Sequence, residues 1–170
     1  MTDSQIDARH FRNVLGHFPT GVTVVTGLDD AGAPQGITIG SFVSVSLDPP
    51  LVGFLAGTGS RSWAAIAKSG GFCVNILAAG QDELCWKFAK EPAAGETSKF
   101  VGVNWTASAT GSPILPGVVG WIDCKVEVIH EAGDHLFVVG RVHDMSHADD
   151  VSDAMVFFRG KVASVNMPTA

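Results

Sequence analysis

The stretch VVGWIDCKVEVIHEAGDHLFVVGRVHDMSH, residues 118–147, decides the architecture. Its two arms, VVGWIDCKVEVIHE and HLFVVGRVHDMSH, are rich in β-branched and aromatic residues and flank the turn Ala132-Gly133-Asp134. They predict one long β-hairpin. Upstream, GVTVVTGL (Gly21–Leu28), LVGFLA (Leu51–Ala56) and FCVNIL (Phe72–Leu77) read as strands, with DDAGAP as a turn. GITIGSFVSVSLDPP (Gly36–Pro50) reads as a second long strand, stopped by two prolines. Downstream, AMVFFRG and KVASV make a last hairpin around Arg159–Gly160.

Helices are fewer. Phe11, Val14, Leu15 and Phe18 follow the i, i+3, i+4, i+7 rule, so Ile6–Phe18 is predicted helical, ending at Pro19. Ser60 is a good N-cap for a helix carrying Trp63, Ile66 and Ala67, with Gly70 as its stop. GQDELCWKFA predicts another, with Leu84 and Phe88 on one side, and Glu91–Phe100 reads as an exposed loop. The tally is about seven strands and two or three helices, arriving in hairpins and not in β-α-β alternation. The expected fold is mainly β with short helices, an antiparallel β-barrel with helices at its ends.

The composition narrows the function. The chain has 170 residues, 46% hydrophobic and 16% charged, a length that suits one domain with a sizeable core. Lys+Arg number 11 against 17 Asp+Glu, for a net charge of -6, which argues against nucleic acid or an anionic membrane as partner. Cys73, Cys85 and Cys124 are widely spaced and form no C-x-x-C pair. Reduced thiols in a cytoplasm are the simplest reading. The N-terminal MTDSQIDARHF has no apolar signal region, and no apolar run approaches the ~18 residues of a membrane span. The expected location is cytoplasmic.

Self-sufficient catalytic groups are missing from the sequence. There is no G-x-S-x-G, H-E-x-x-H or Walker loop, and Gly57–Ser62 (GTGSRS) is only half a dinucleotide fingerprint. His10 and His17 lie seven apart, but no cysteine or carboxylate completes a metal site with them. Two features suit a ligand. Ser60-Arg61-Ser62 at a helix start could hold a phosphate, or could be an ordinary N-cap with an arginine in solvent. Thr38, Ser41, Ser44 and Ser46 put four small hydroxyls on nine residues of one strand. With Gly40 they would let a flat heteroaromatic ligand lie against the backbone, or they mark a solvent-facing strand.

At this point a family resemblance becomes visible. SFVSVSLDPPLV, SRSW, FCVNIL, the Gly133-Asp134-His135 turn and FFRGK resemble, in order and spacing, the short-chain flavin reductases. These are the reductase components of two-component flavin-dependent monooxygenases. The resemblance runs from about Phe11 to Val165, which makes residues 1–170 a single flavin reductase-like domain with its core at about 11–165. It implies an FMN-binding split β-barrel, a homodimer, that reduces FMN or FAD with NAD(P)H and passes reduced flavin to a separate monooxygenase. NADH is preferred to NADPH because no dedicated basic cluster for a 2′-phosphate is visible. By the same resemblance Thr38, Ile39, Gly40 and Ser41 lie along the isoalloxazine edge, and Ser44, Val45 and Ser46 near the ribityl chain and phosphate. Ser60, Arg61 and Ser62 hold the phosphate, and His135 lies close to flavin and nicotinamide.

There are two departures from the family pattern. Ile39-Gly40-Ser41 stands where the family carries alanine or cysteine with asparagine or glutamine. Lys161-Val162 stands where it carries a tyrosine motif, and the chain has no tyrosine, so Phe158 is offered as the aromatic contact. The competing readings are a split-barrel flavin oxidase and a flavin-binding redox-carrier module without NADH turnover.

Overall fold

The computed structural model describes residues 6–92, 98–151 and 153–165. α1 (Ala8–Leu15) leads into β1 (Thr20–Gly21), β2 (Thr23–Leu28), β3 (Pro34–Ile39), β4 (Val43–Leu47) and β5 (Pro50–Gly57). Then come α2 (Arg61–Ile66), β6 (Gly71–Ile76) and α3 (Asp82–Ala89). Two short strands, β7 (Thr106–Ala107) and β8 (Pro113–Ile114), precede the long pair β9 (Gly120–Ala132) and β10 (His135–His147). β11 (Ala154–Phe158) and β12 (Lys161–Val165) complete the order.

The long hairpin forms as its sequence requires, with 13 residues in each arm and Gly133 turning at φ 64°. It is the middle of a seven-stranded antiparallel sheet of order β3-β2-β6-β9-β10-β5-β4. β1, β11 and β12 form a second sheet, and β7 and β8 a third that the sequence reading did not foresee.

The mainly-β expectation holds, but the barrel does not. β3 and β4 are the two outer strands of the large sheet and do not pair with each other, so no sheet among the described residues closes into a barrel. The cause lies in Gly36–Pro50, which is two strands and not one. The ladder breaks at Gly40–Phe42: before the break β3 pairs with β2, and after it β4 pairs with β5, at the opposite edge. At the break the Ser41 hydroxyl accepts from Leu55 N at 2.9 Å and donates to Leu55 O at 3.2 Å.

α1 is shorter than Ile6–Phe18, being capped by Asp7, which accepts from His10 N at 3.0 Å. Its apolar stripe is not covered: Phe11, Val14 and Leu15 are each more than half exposed, as is Phe18 beyond it. α2 ends at Ile66, before the glycine expected to stop it.

Two apolar clusters form the core. In one, Phe54, Trp63 and Phe72 meet edge-to-face, with ring centroids 5.2–6.2 Å apart. Gly140 makes this possible, since a Cβ there would stand 2.3 Å from the Phe72 ring. The other packs Phe88 and Phe100 with Val22, Val24, Leu77 and Met155. Two buried polar side chains fasten the β7–β8 segment. Asn75 donates to Pro113 O at 3.2 Å and accepts from Leu115 N at 2.8 Å. Asp123 accepts from Ser108 Oγ at 2.7 Å, Thr110 N at 2.9 Å and Thr110 Oγ1 at 2.6 Å. No described helix is long and apolar enough to cross a membrane.

Candidate functional site

β3 carries a recess at its C-terminal end. Thr38 of β3, Gly40 just beyond it, Cys85, Trp86 and Ala89 of α3, and Phe157 of β11 line a cavity of about 330 Å³. The helix sits there because Gly36 has no side chain: a Cβ at that position would fall 2.5 Å from the Phe88 ring. Thr38 adds a polar clamp, donating to Cys85 O at 2.7 Å. Its one donor is therefore spent, and only lone pairs remain for a ligand. Trp86 and Phe157 stand edge-on, 6.5 Å apart, and supply aromatic walls.

At the other end of β3 the lining turns polar. Gln35, Arg61, Ser62, Glu91, Ser98 and Lys99 surround a cavity of about 230 Å³. Gln35 and Thr38 are about 10 Å apart along the strand. A third recess of about 390 Å³ lies beside both, sharing Trp86 with the first and Glu91 and Lys99 with the second. Arg61 Nη2 lies 2.5 Å from Glu91 Oε2, both side chains being largely exposed. Lys99 Nζ donates to Phe88 O at 3.0 Å and Gly36 O at 3.3 Å. Burial holds its pKa below the usual lysine range; Glu91 opposes this and Arg61 adds to it. Ser60 is used as the cap of α2, accepting from Trp63 N at 3.2 Å.

The hairpin tip is a third locality. His135 lies opposite Gly57 in register, and its Nδ1 is 2.7 Å from Asp134 Oδ1. The His135 hydrogen bond and charge hold the Asp134 carboxyl below its ordinary value. Asp134 O accepts from Thr58 N at 3.0 Å and from Thr58 Oγ1 at 3.1 Å. The tip is thus tied to the Gly57–Ser60 segment that feeds α2.

The residues singled out by sequence fall into distinct places. Thr38 and Gly40 share one recess, and Arg61 and Ser62 a second, polar one. Ile39 points into the core, 5% exposed, and Ser41 is occupied by Leu55. Ser44, Val45 and Ser46 lie on β4, the opposite outer strand, where the register shifts between Ser44 and Ser46. Phe158 meets His17 edge-on at 6.2 Å, while its neighbour Phe157 lines the recess. Sequence reasoning missed Trp86, Glu91, Lys99 and Phe157. One signal was available: Phe100 beside Lys99 is a large apolar residue in a polar run, and it is buried.

The comparisons with known proteins agree on one family. The flavin reductase like domain model matches residues 15–166. A flavin reductase of Pseudomonas putida is 45% identical over 157 residues, 92% of this chain and 89% of the relative. The flavin-dependent monooxygenase reductase subunit HsaB of Rhodococcus jostii is 46% identical over 160 residues, 94% of this chain and 79% of the relative. The structure of the Streptomyces globisporus NADH:FAD oxidoreductase SgcE6, in complex with NAD and FAD fragments, aligns with TM-score 0.85 at 32% identity, covering 98% of this chain and 99% of that one. The chain belongs to the flavin reductase-like domain family.

Proposed function

We infer that the protein is an NADH-dependent flavin reductase that takes FMN or FAD as substrate and supplies reduced flavin to a separate monooxygenase. The observation that carries the site reading is the set of neighbouring recesses beside β3 and α3, one with aromatic walls at Trp86 and Phe157 and one with two cations, Arg61 and Lys99. This donor set suits a flat ring with an anionic tail. Thr38 offers lone pairs to a ring N–H, Gly40 allows close approach, and Arg61, Lys99 and Ser62 take the phosphate. Bound flavin supplies the hydride acceptor, so the chain's own task is to bind, orient and exclude competing geometry. His135 serves the nicotinamide side.

The cation offered to the anionic tail, Arg61, is largely exposed. That suits affinity near micromolar, roughly -8 kcal/mol, and a flavin that leaves after reduction. We propose further that the protein is a homodimer, since α1, the turn after it and β4 expose Phe11, Leu15, Phe18, Val43 and Leu47. Cytoplasmic placement rests on its free, buried cysteines.

Steady-state oxidation of NADH with added FMN, FAD or riboflavin tests the reading. The rate should saturate with added flavin, and dialysis should remove the yellow colour. Turnover that ignores added flavin would favour a self-contained oxidase.

A further inference from the structure

Arg61, the residue assigned above to the flavin phosphate, already has an anion. Glu91 Oε2 lies 2.5 Å from Arg61 Nη2, and the same carboxylate is near enough to Lys99 to raise its proton affinity. One acidic side chain thus faces both cations of the polar recess. A phosphate monoester entering there brings about 1.5 to 2 negative charges. With Glu91 in place, the recess would then hold more negative than positive charge. Without it, two cations face one dianion. The Arg61–Glu91 pair is exposed on both sides, 79% and 64%, and exposed pairs of this kind contribute little to stability, so displacing it costs little.

We propose that Glu91 is an internal competitor for the flavin phosphate. Its carboxylate occupies Arg61 in the empty protein and is displaced when a phosphorylated flavin binds. It thereby lowers affinity for FMN and FAD and speeds their release, without affecting the ring. Lys99 is the fixed member of the pair, since two of its three N–H groups are committed to backbone carbonyls. Arg61 is the member that exchanges partners. This rests on the assignment of the recess to the flavin phosphate.

The test is a set of fluorescence titrations with FMN and with riboflavin, which lacks the phosphate. The proteins are the parent, Glu91→Gln, Arg61→Ala and the double variant. Glu91→Gln should bind FMN about three- to tenfold tighter, the scale of removing one exposed charge from an anion site. Its FMN dissociation in stopped flow should slow by a similar factor. Riboflavin should not change, and the gain should vanish when Arg61 is also alanine. If Glu91→Gln leaves FMN affinity unchanged or lower while Arg61→Ala still weakens FMN alone, the competitor role is overturned and the phosphate assignment stands. If Arg61→Ala affects FMN and riboflavin equally, or neither, the phosphate assignment falls and takes the competitor with it.

Discussion

Thr38 donates its hydroxyl hydrogen to the carbonyl oxygen of Cys85 across 2.7 Å, pinning α3 to β3 at the mouth of the aromatic recess. Thr38→Val keeps the shape and removes both this bond and the lone pairs left for a ligand. Stability should fall by about 0.5–1.5 kcal/mol in urea unfolding. FMN and riboflavin should weaken together by several-fold, and Thr38→Ser should restore most of both losses. A loss confined to FMN would place Thr38 with the phosphate and not with the ring.

His135 is held at the hairpin tip by Asp134, lies opposite Gly57, and is not among the residues that line the aromatic recess. His135→Ala should lower kcat/KM for NADH while leaving the flavin Kd within a few-fold. Collapse of flavin binding in a folded variant would contradict its placement on the nicotinamide side.

Gly140 is where β10 yields to the Phe72 ring. Gly140→Ala forces a Cβ to within 2.3 Å of Phe72 and 3.1 Å of Cys124 Cβ, both fully buried. Over-packing of this kind costs about 1–3 kcal/mol. Gly57→Ala is the control, since nothing lies within 4 Å of its new methyl. Equal midpoints for the two variants in thermal unfolding would show that the Phe72 cluster gives way freely.

Asp123 is a fully buried carboxylate that answers Ser108 and Thr110 three times. Asp123→Ala strands those donors and should cost about 2–4 kcal/mol. Amides of the Thr106–Ile114 segment should lose protection first in hydrogen exchange. A variant of unchanged midpoint would mean that the clasp contributes nothing.

The cysteines should be chemically silent. Burial, aided by the Asp123 charge, pushes the Cys124 thiol up to about 12 and raises Cys73 as well. Burial raises Cys85 too, with Asp82 adding to it. A thiol reagent at neutral pH should label none of the three in the native protein and all three in denaturant. Rapid native labelling would reveal an open path to the core.

What the sequence could and could not convey follows from the range of the forces involved. The β9–β10 hairpin was legible because alternation, β-branching and a glycine turn are local. The break at Gly40–Phe42 was not, because apolar and hydroxyl residues continue through it without a change of pattern. Succession in hairpins shows which strands are neighbours along the chain. It does not show whether the outermost two meet, and here β3 and β4 do not pair. The α1 stripe correctly marked a helix, yet its exposure depends on what lies opposite. In the site, Arg61 and Ser62 were visible beside a cap signal. Lys99 was not, since its role comes from the remote Gly36 and Phe88 carbonyls.

A sheet that does not close keeps two raw rims, each able in principle to recruit a strand from another molecule. On β4, Val45 is the extra residue between Ser44 and Ser46, and Pro49 and Pro50 beyond the strand have no N–H to offer. β3 starts at Pro34, its Gly36 carbonyl is taken by Lys99, and α2 and α3 pack against it. An incoming strand therefore meets no continuous ladder on either side. The fold guards against edge-to-edge aggregation by interrupting its rims, with no need to seal them.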